Sequence, residues 1–366
     1  MIYNYLLFAN PHGKNVTPEK IKRLQDIFSL GEGKLHGKVV VTENLSKLEK
    51  AITEHKNAFM EHKEQGTTIV GIVGGDGTVM HTRTLVENIW GYTPTYAFFP
   101  EGTMNNSHRA LGLGRADSSI KLAQHIVETA CTNTLEHYTV SFPSLDINDK
   151  KGFNIGFGLI PKLLWLYYGN SAKQYRELEE ALQHCHPGEY QAKYTEITKK
   201  QKADIFDILS KERGVWGAAK TALRLLNGLR RHTDEEYMLH KTVSGEIRFD
   251  GTIQTFPQEP LGVYISCYEE VNLGLRSWNP KPAPEARKEE GKFQVVVPYG
   301  NPFSIVPQLP KVIAGKKLSN AVYQYISTLE LPAEKFVQVD GELILEKGFT
   351  VRYDGKRDIM VLPVTV

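Results

Sequence analysis

The sequence predicts an α/β protein, with an N-terminal doubly wound parallel sheet and a C-terminal β-rich domain. Three observations carry that prediction. The run from Thr67 to Val73 is apolar and β-branched, as a buried parallel strand should be, and it stops at Gly74-Gly75-Asp76-Gly77-Thr78 before a helical segment from Val79 to Trp90. Strand and helix patterns alternate up to about residue 134, after which short strand candidates separated by turn signals take over. The 366 residues are also long for one domain, so two are expected.

Taken in order, Tyr3 to Ala9 is the first strand, ending in the turn Asn10-Pro11-His12-Gly13-Lys14. Turns at the C-terminal ends of parallel strands are where α/β proteins place ligand groups, and Lys14 offers a point charge to a phosphate. Thr17 to Leu30 reads as a helix, with Thr17 as cap and Pro18 at the first position. Lys38 to Val41 is a second strand, running into Thr42-Glu43-Asn44, and Ser46 to His62 a helix with a solvated, mixed-charge face.

The Gly-Gly-Asp-Gly-Thr turn comes next. Its glycines let the backbone approach a bulky anion, and the helix start behind it offers amides and a positive dipole end to phosphate. The carboxylate of Asp76 would repel that phosphate without a divalent cation between them, so the local chemistry reads as nucleotide phosphate plus Mg²⁺. Thr95 to Phe99 is a further strand, closed by the polar turn Pro100-Glu101-Gly102-Thr103-Met104-Asn105-Asn106-Ser107, and Ser118 to Thr129 is a helix. Such turns gather on one edge of a doubly wound sheet and can build one nucleotide site together.

Beyond residue 134 the candidates are strands at Leu135 to Ile147 and Gly152 to Leu159, with a turn at Asn148 to Lys151 between them. A mostly helical stretch follows from Pro161 to His240. The later strand candidates are Lys241 to Phe249, Leu261 to Tyr268, Gly291 to Val297, Phe336 to Val339, Phe349 to Tyr353 and Asp358 to Pro363. Asn279 to Pro284 is a surface loop with three prolines.

A formal net charge of +2 gives no sign of a nucleic-acid partner. Cys131, Cys185 and Cys267 show no paired spacing, which points to a reducing, cytoplasmic compartment. His184-Cys185-His186 reads as a surface turn before Pro187-Gly188, not as a metal site. There is no eighteen-residue apolar run, and the opening Met1 to Phe8 reads as a strand, not a signal peptide.

The motifs together resemble the diacylglycerol kinase-like lipid kinase family of the NAD kinase-like superfamily, which includes bacterial lipid kinases and the sphingosine and ceramide kinases. The family's ordered pattern stands here as Asn10-Pro11, Gly74 to Thr78, Pro100 to Asn105 and Asp340-Gly341-Glu342, with a further match at Phe153 to Gly158. The resemblance implies an α/β ATP-binding domain over residues 1–134. It also implies a β-rich lipid-binding domain over 135–357 with a helical insertion at about 161–240, and an active site between the two domains. The last strand, 358–366, would return to the first domain.

Carried over by position, ATP is implied to meet Asn10, Pro11, His12, Gly13, Lys14, Thr42, Gly74, Gly75, Gly77, Thr78, Gly102, Thr103, Asn105 and Asp340. Asp76 would sit at the phosphates and Mg²⁺, and Glu342 would be the general base that takes the proton of a lipid hydroxyl. Phosphoryl transfer needs alignment, charge neutralisation and a base in reach, which this set supplies. The chain departs from the family's pattern at Asn106 and Ile160, where acids are common, and at Met80-His81 in place of Asn-Glu. Those departures weaken a sphingosine assignment.

A lipid substrate implies transient, peripheral contact with a membrane, and a homodimer is compatible with the resemblance. Arg213 to Arg231 patterns as an amphipathic helix with a basic stripe, read here first as a domain helix and second as a membrane-surface helix. Leu163 to Tyr168 is the better candidate for touching acyl chains, with core burial as its alternative. An NAD kinase shares Gly-Gly-Asp-Gly-Thr, but the Pro100 to Asn105 turn and the late Asp-Gly-Glu argue against it. A non-catalytic nucleotide- or lipid-binding relative is the reading from another class. No P-loop or protein-kinase signature occurs.

Overall fold

Alternation of buried and polar positions shapes the elements of this computed structural model. It describes all residues except 1, 32, 62–67, 103–117, 168–169, 200–242, 244, 268–269, 272–274, 277–290, 306–307, 309–315 and 362–366. Strands β1 to β9 span Tyr3–Ala9, Leu35–Val41, Thr68–Gly74, Thr95–Pro100, Thr139–Ile147, Lys150–Gly152, Asn154–Gly158, Arg248–Phe249 and Thr252–Ile253. Strands β10 to β18 span Gly262–Ser266, Glu270–Val271, Leu275–Arg276, Phe293–Pro298, Ala321–Ile326, Thr328–Leu331, Phe336–Val339, Glu342–Leu345 and Phe349–Met360. The helices are α1 Pro18–Ser29, α2 Leu45–Glu61, α3 Asp76–Trp90, α4 Ser118–Thr132, α5 Leu159–Tyr167, α6 Ala172–His184, α7 Tyr190–Lys199 and the single turn α8 Pro302–Ile305. The chain divides into two units: Met1–Ser144, Asp149–Lys151 and Asp354–Val366 form the first, Leu145–Asn148 and Gly152–Tyr353 the second.

The first unit is built on a parallel sheet in the order β2-β1-β3-β4-β18. Every residue of β1 and β3 is buried, which is why both read as near-continuous apolar runs. Helices α1 and α4 pack together, as do α2 and α3. Tyr5 stacks on Phe28 of α1 at 4.6 Å, whereas Phe59 of α2 stacks on Trp90 of α3 at 5.5 Å. Thr17 caps α1 by accepting from the Lys20 amide, with Pro18 in its first turn. The fifth strand comes from the far end of the chain, with Ile359 beside Tyr96.

The second unit holds an antiparallel six-stranded sheet in the order β14-β13-β10-β7-β16-β17. Helices α5, α6 and α7 bury one side of it through Trp165, Tyr175, Leu178, Leu182 and Tyr190, packed with Phe336 and Leu345. A capping box between Ser171 and Gln174 starts α6. A further antiparallel group joins β9, β8, β15 and residues 349–352 of β18.

Several elements differ from the sequence reading. Helix α3 begins at Asp76, three residues before the expected start, because Gly75 is already its extended N-cap. Leu135 to Tyr138 is a 3₁₀ turn instead of strand. The expected strand Gly152 to Leu159 ends at Gly158, whose left-handed φ of 70° turns the chain into α5. The two last candidates, Phe349 to Tyr353 and Asp358 to Pro363, are parts of the one strand β18. Strands β14, β15 and β17 were not anticipated: β15 and β17 are only four residues long, and β14 is mostly half-buried. Of the acyl-chain candidate, Leu164, Trp165 and Leu166 are core residues. Arg213 to Arg231, Asn279 to Pro284, Thr103, Asn105 and Asn106 lie outside the described residues.

Candidate active site

Three turns at the C-terminal ends of β1, β3 and β4 meet in the first unit, and the sequence dictates how. Asn10 follows β1; its backbone N–H donates to the Val73 carbonyl at 3.0 Å and its Oδ1 accepts from the His12 amide at 3.0 Å. The second arm of the same side chain, Nδ2, donates to Thr78 Oγ1 at 3.0 Å, joining the first turn to the second. The third turn is joined through Glu101, whose amide donates to the Gly74 carbonyl at 2.9 Å and whose own carbonyl accepts from Asn15 at 3.2 Å. The Glu101 carboxylate is buried and takes Lys20 Nζ of α1 at 2.6 Å. Thr42, buried after β2, donates its amide to the Ala9 carbonyl at 2.9 Å.

Glycine makes this convergence possible. A Cβ on Gly75 would lie 3.1 Å from the Cα of Gly102, and one on Gly74 would lie 2.6 Å from Thr78 Oγ1. Asp76 opens α3, buried in its first turn, where the positive end of the helix dipole favours a carboxylate. The first helical bond of α3 runs from the Val79 amide to the Gly75 carbonyl, so the amides ahead of it point out of the helix end. His12 and Lys14 are exposed at the tip of the first turn. Of the sequence-predicted nucleotide residues, Asn10, Gly13, Thr42, Gly74 to Thr78 and Gly102 are thus set around the ends of neighbouring strands. The third turn is described only as far as Gly102.

The rear half of α3 is fixed by ions. Arg83 is fully buried and donates to Ser144 Oγ at 2.6 Å, while also pairing with Glu87 one helical turn on at 3.3 Å. Glu87 also accepts from Tyr96 OH at 3.0 Å and from Arg357 Nη2 of β18 at 2.6 Å. Burial opposes ionisation of Glu87, but the two guanidiniums outweigh it and hold the carboxyl below its usual range. Burial, with the Glu87 charge added, pushes the Tyr96 phenol far above its ordinary value. On the front half, burial and then Lys150 lower the pKa of His81, so the imidazole favours its neutral form. Nothing in the sequence pattern marked this network, because Arg83 and Glu87 look like an ordinary exposed i,i+4 pair.

The second unit carries the Asp-Gly-Glu motif at a hairpin tip. Val339 pairs with Glu342, leaving Asp340 and Gly341 as a two-residue loop with φ of 47° and 90°. Positive φ at both positions is the signature of a type I′ turn, which Asp-Gly favours. Glu342 is exposed at the start of β17, whereas Asp340 is 2% exposed. The Asp340 carboxylate faces inward: Oδ1 accepts from the Asn154 amide at 2.8 Å, and Oδ1 and Oδ2 share the Phe153 amide at 3.2 and 3.1 Å. Tyr194 of α7 was missed by sequence reasoning. Its phenol is pushed up by burial and by the Glu342 charge, and its ring meets Trp165 edge-on at 5.8 Å. Ile160 packs back on Gly156; a Cβ on that glycine would lie 2.4 Å from Ile160 Cγ2.

Comparison with known proteins finds a partial match to a family and several structures of similar fold. Residues 4–137 match the diacylglycerol kinase catalytic domain. No protein of curated function matches the sequence. Among solved structures, a putative diacylglycerol kinase from Bacillus anthracis str. Sterne aligns with a TM-score of 0.60 at 15% identity, covering 99% of this chain and 98% of its own. A diacylglycerol kinase structure from the same strain aligns at 0.56 and 14% identity over the same shares. Residues 4–137 are therefore similar to the diacylglycerol kinase catalytic domain, and the chain has the fold of these bacterial structures.

Proposed function

We propose that the protein is an ATP-dependent lipid kinase that phosphorylates a hydroxyl of a diacylglycerol-like or other neutral lipid. The observation that carries this reading is the joining of the three strand-end turns, by the Asn10–Thr78 bond and the close approach of Gly75 to Gly102, within a diacylglycerol kinase catalytic domain. Asn10 to Lys14, Thr42, Gly74 to Thr78 and Gly102 would line the nucleotide. Glu342 takes the hydroxyl proton as the acceptor oxygen bonds to the γ-phosphorus; the bond from that phosphorus to the β-phosphate oxygen breaks, and ADP leaves.

Mg²⁺ fits the donor set. This ion keeps several waters and takes one or two carboxylates besides the substrate phosphates, and Asp76 provides one carboxylate at the helix start. When bound, it would neutralise phosphate charge. Among the described residues no group of three or more His, Cys, Asp or Glu could hold a metal ion. A lipid acceptor would be met at a membrane surface; among the described residues no helix is long and apolar enough to cross a bilayer.

The test is transfer of labelled phosphate from Mg²⁺-ATP to diacylglycerol, ceramide, sphingosine, phosphatidylglycerol and NAD, the lipids in mixed micelles. A labelled lipid that disappears with Glu342→Ala and with Asp76→Asn is the expected result. Label on NAD alone, or equal labelling by both variants, would overturn the reading.

A further inference from the structure

We propose that Asp340 is the positioning residue of the Asp-Gly-Glu hairpin: its carboxylate latches the hairpin tip to the Phe153 and Asn154 amides and so fixes where Glu342 stands, and it is not a ligand of nucleotide or metal. This rests on the reading of Glu342 as the base.

Two acids two residues apart have opposite surroundings. Glu342 is exposed, while Asp340 is 2% exposed. Both oxygens of Asp340 are engaged by backbone amides at the start of β7, at 2.8 to 3.2 Å. Its own amide donates to the Asn154 carbonyl at 2.8 Å, so backbone and side chain grip the same two residues. Space is closed as well: a Cβ added to Gly152 would lie 2.6 Å from Val339 Cγ1 and 3.5 Å from Asp340 Oδ2. Both carboxylate oxygens are thus turned to the backbone at the start of β7.

The latch has a reason in backbone physics. Asp340 holds φ at 47°, a left-handed conformation that L-residues other than Asn and Asp resist. Charge-assisted bonds to two successive amides enforce it. Because Val339 and Glu342 are paired directly across the loop, the loop geometry sets the direction in which Glu342 leaves the strand. A base displaced by about 1 Å can lose on the order of a hundredfold in rate.

The experiment compares the parent, Asp340→Asn and Gly341→Ala in three measurements. Asn keeps the left-handed preference but turns an NH₂ group against the amides, and Gly341→Ala strains the same loop without altering the carboxylate. Expected are at least a tenfold fall in kcat for lipid phosphorylation in both variants, KM for Mg²⁺-ATP and Kd for Mg²⁺-ADP within twofold of the parent, and at least tenfold faster hydrogen exchange at Phe153 and Asn154 in Asp340→Asn. A fivefold or greater loss of Mg²⁺-ADP affinity in Asp340→Asn, with the two amides still protected, would overturn the proposal. So would fast exchange of those amides in the parent, a measurement that needs no variant. If the parent phosphorylates no lipid, the kinase reading fails alone, since exchange and ADP binding still decide for or against the latch.

Discussion

A methyl group on Gly75 would sit 3.1 Å from the Cα of Gly102, closer than side chains normally approach backbone, while φ at Gly75 is −94°, which alanine adopts freely. Gly75→Ala therefore tests the approach of the two turns and not backbone strain. The second and third turns must separate by a few tenths of an ångström. The expected result is a KM for Mg²⁺-ATP raised about fivefold or more, with thermal stability changed by no more than about 1–2 kcal/mol; unchanged KM in steady-state assays would refute it. At this scale the meeting of the strand-end turns was legible because their residue types suit it: glycine where backbones converge, Asn10 where one amide bridges turns. The division of labour between Asp340 and Glu342 was not legible. Two acids in one short motif look alike in sequence, and only strand pairing turns one inward and the other out.

Helix α3 has a glycine turn at one end and an ion network at the other, which makes its seating measurable. Removing Arg357 leaves Glu87 buried beside a single guanidinium, a loss of the kind that costs about 3–5 kcal/mol. Arg357→Ala should lower the melting temperature by roughly 6–20 °C, read by differential scanning calorimetry. The pH dependence has a definite sign. Glu87 is depressed in the folded state, so its contribution is full above the ordinary carboxyl value of about 4.3 and fades as pH falls through the lower folded value. Glu87→Gln should be clearly less stable than the parent in urea at pH 7, with the gap narrowing at pH 3.5. A gap that widened in acid would mean that Glu87 is not held ionised by its arginines. Elements with strong apolar signals, β1, β3, β4 and α1, were legible nearly to the residue. The start of α3 was not, because an extended glycine cap followed directly by an acid gives no hydrophobic periodicity to read.

For the molecule as a whole, the change from alternating β/α to antiparallel β was legible at about residue 134, since it is written in turn spacing and strand length. The two-way use of β18 was less so. Its polar middle, Asp354 to Arg357, looked like a break between two short strands, whereas Arg357 is pinned to Glu87 and the strand runs through. A chain stopped after Tyr353 should lose the fifth strand of the first unit and unfold with a lower, broader transition. Retention of the parental melting curve would show that the first four strands suffice.

That fifth strand also sets a schedule. During synthesis β1 to β4 emerge early, yet the strand that lies beside β4 follows only after the second unit has been made. Until then the nascent sheet carries an open edge at β4, where Tyr96, Phe98 and Phe99 are all buried in the finished protein. The ribosome thus holds a half-finished first unit through most of translation, and the interval exposes it to mispairing and to chaperones.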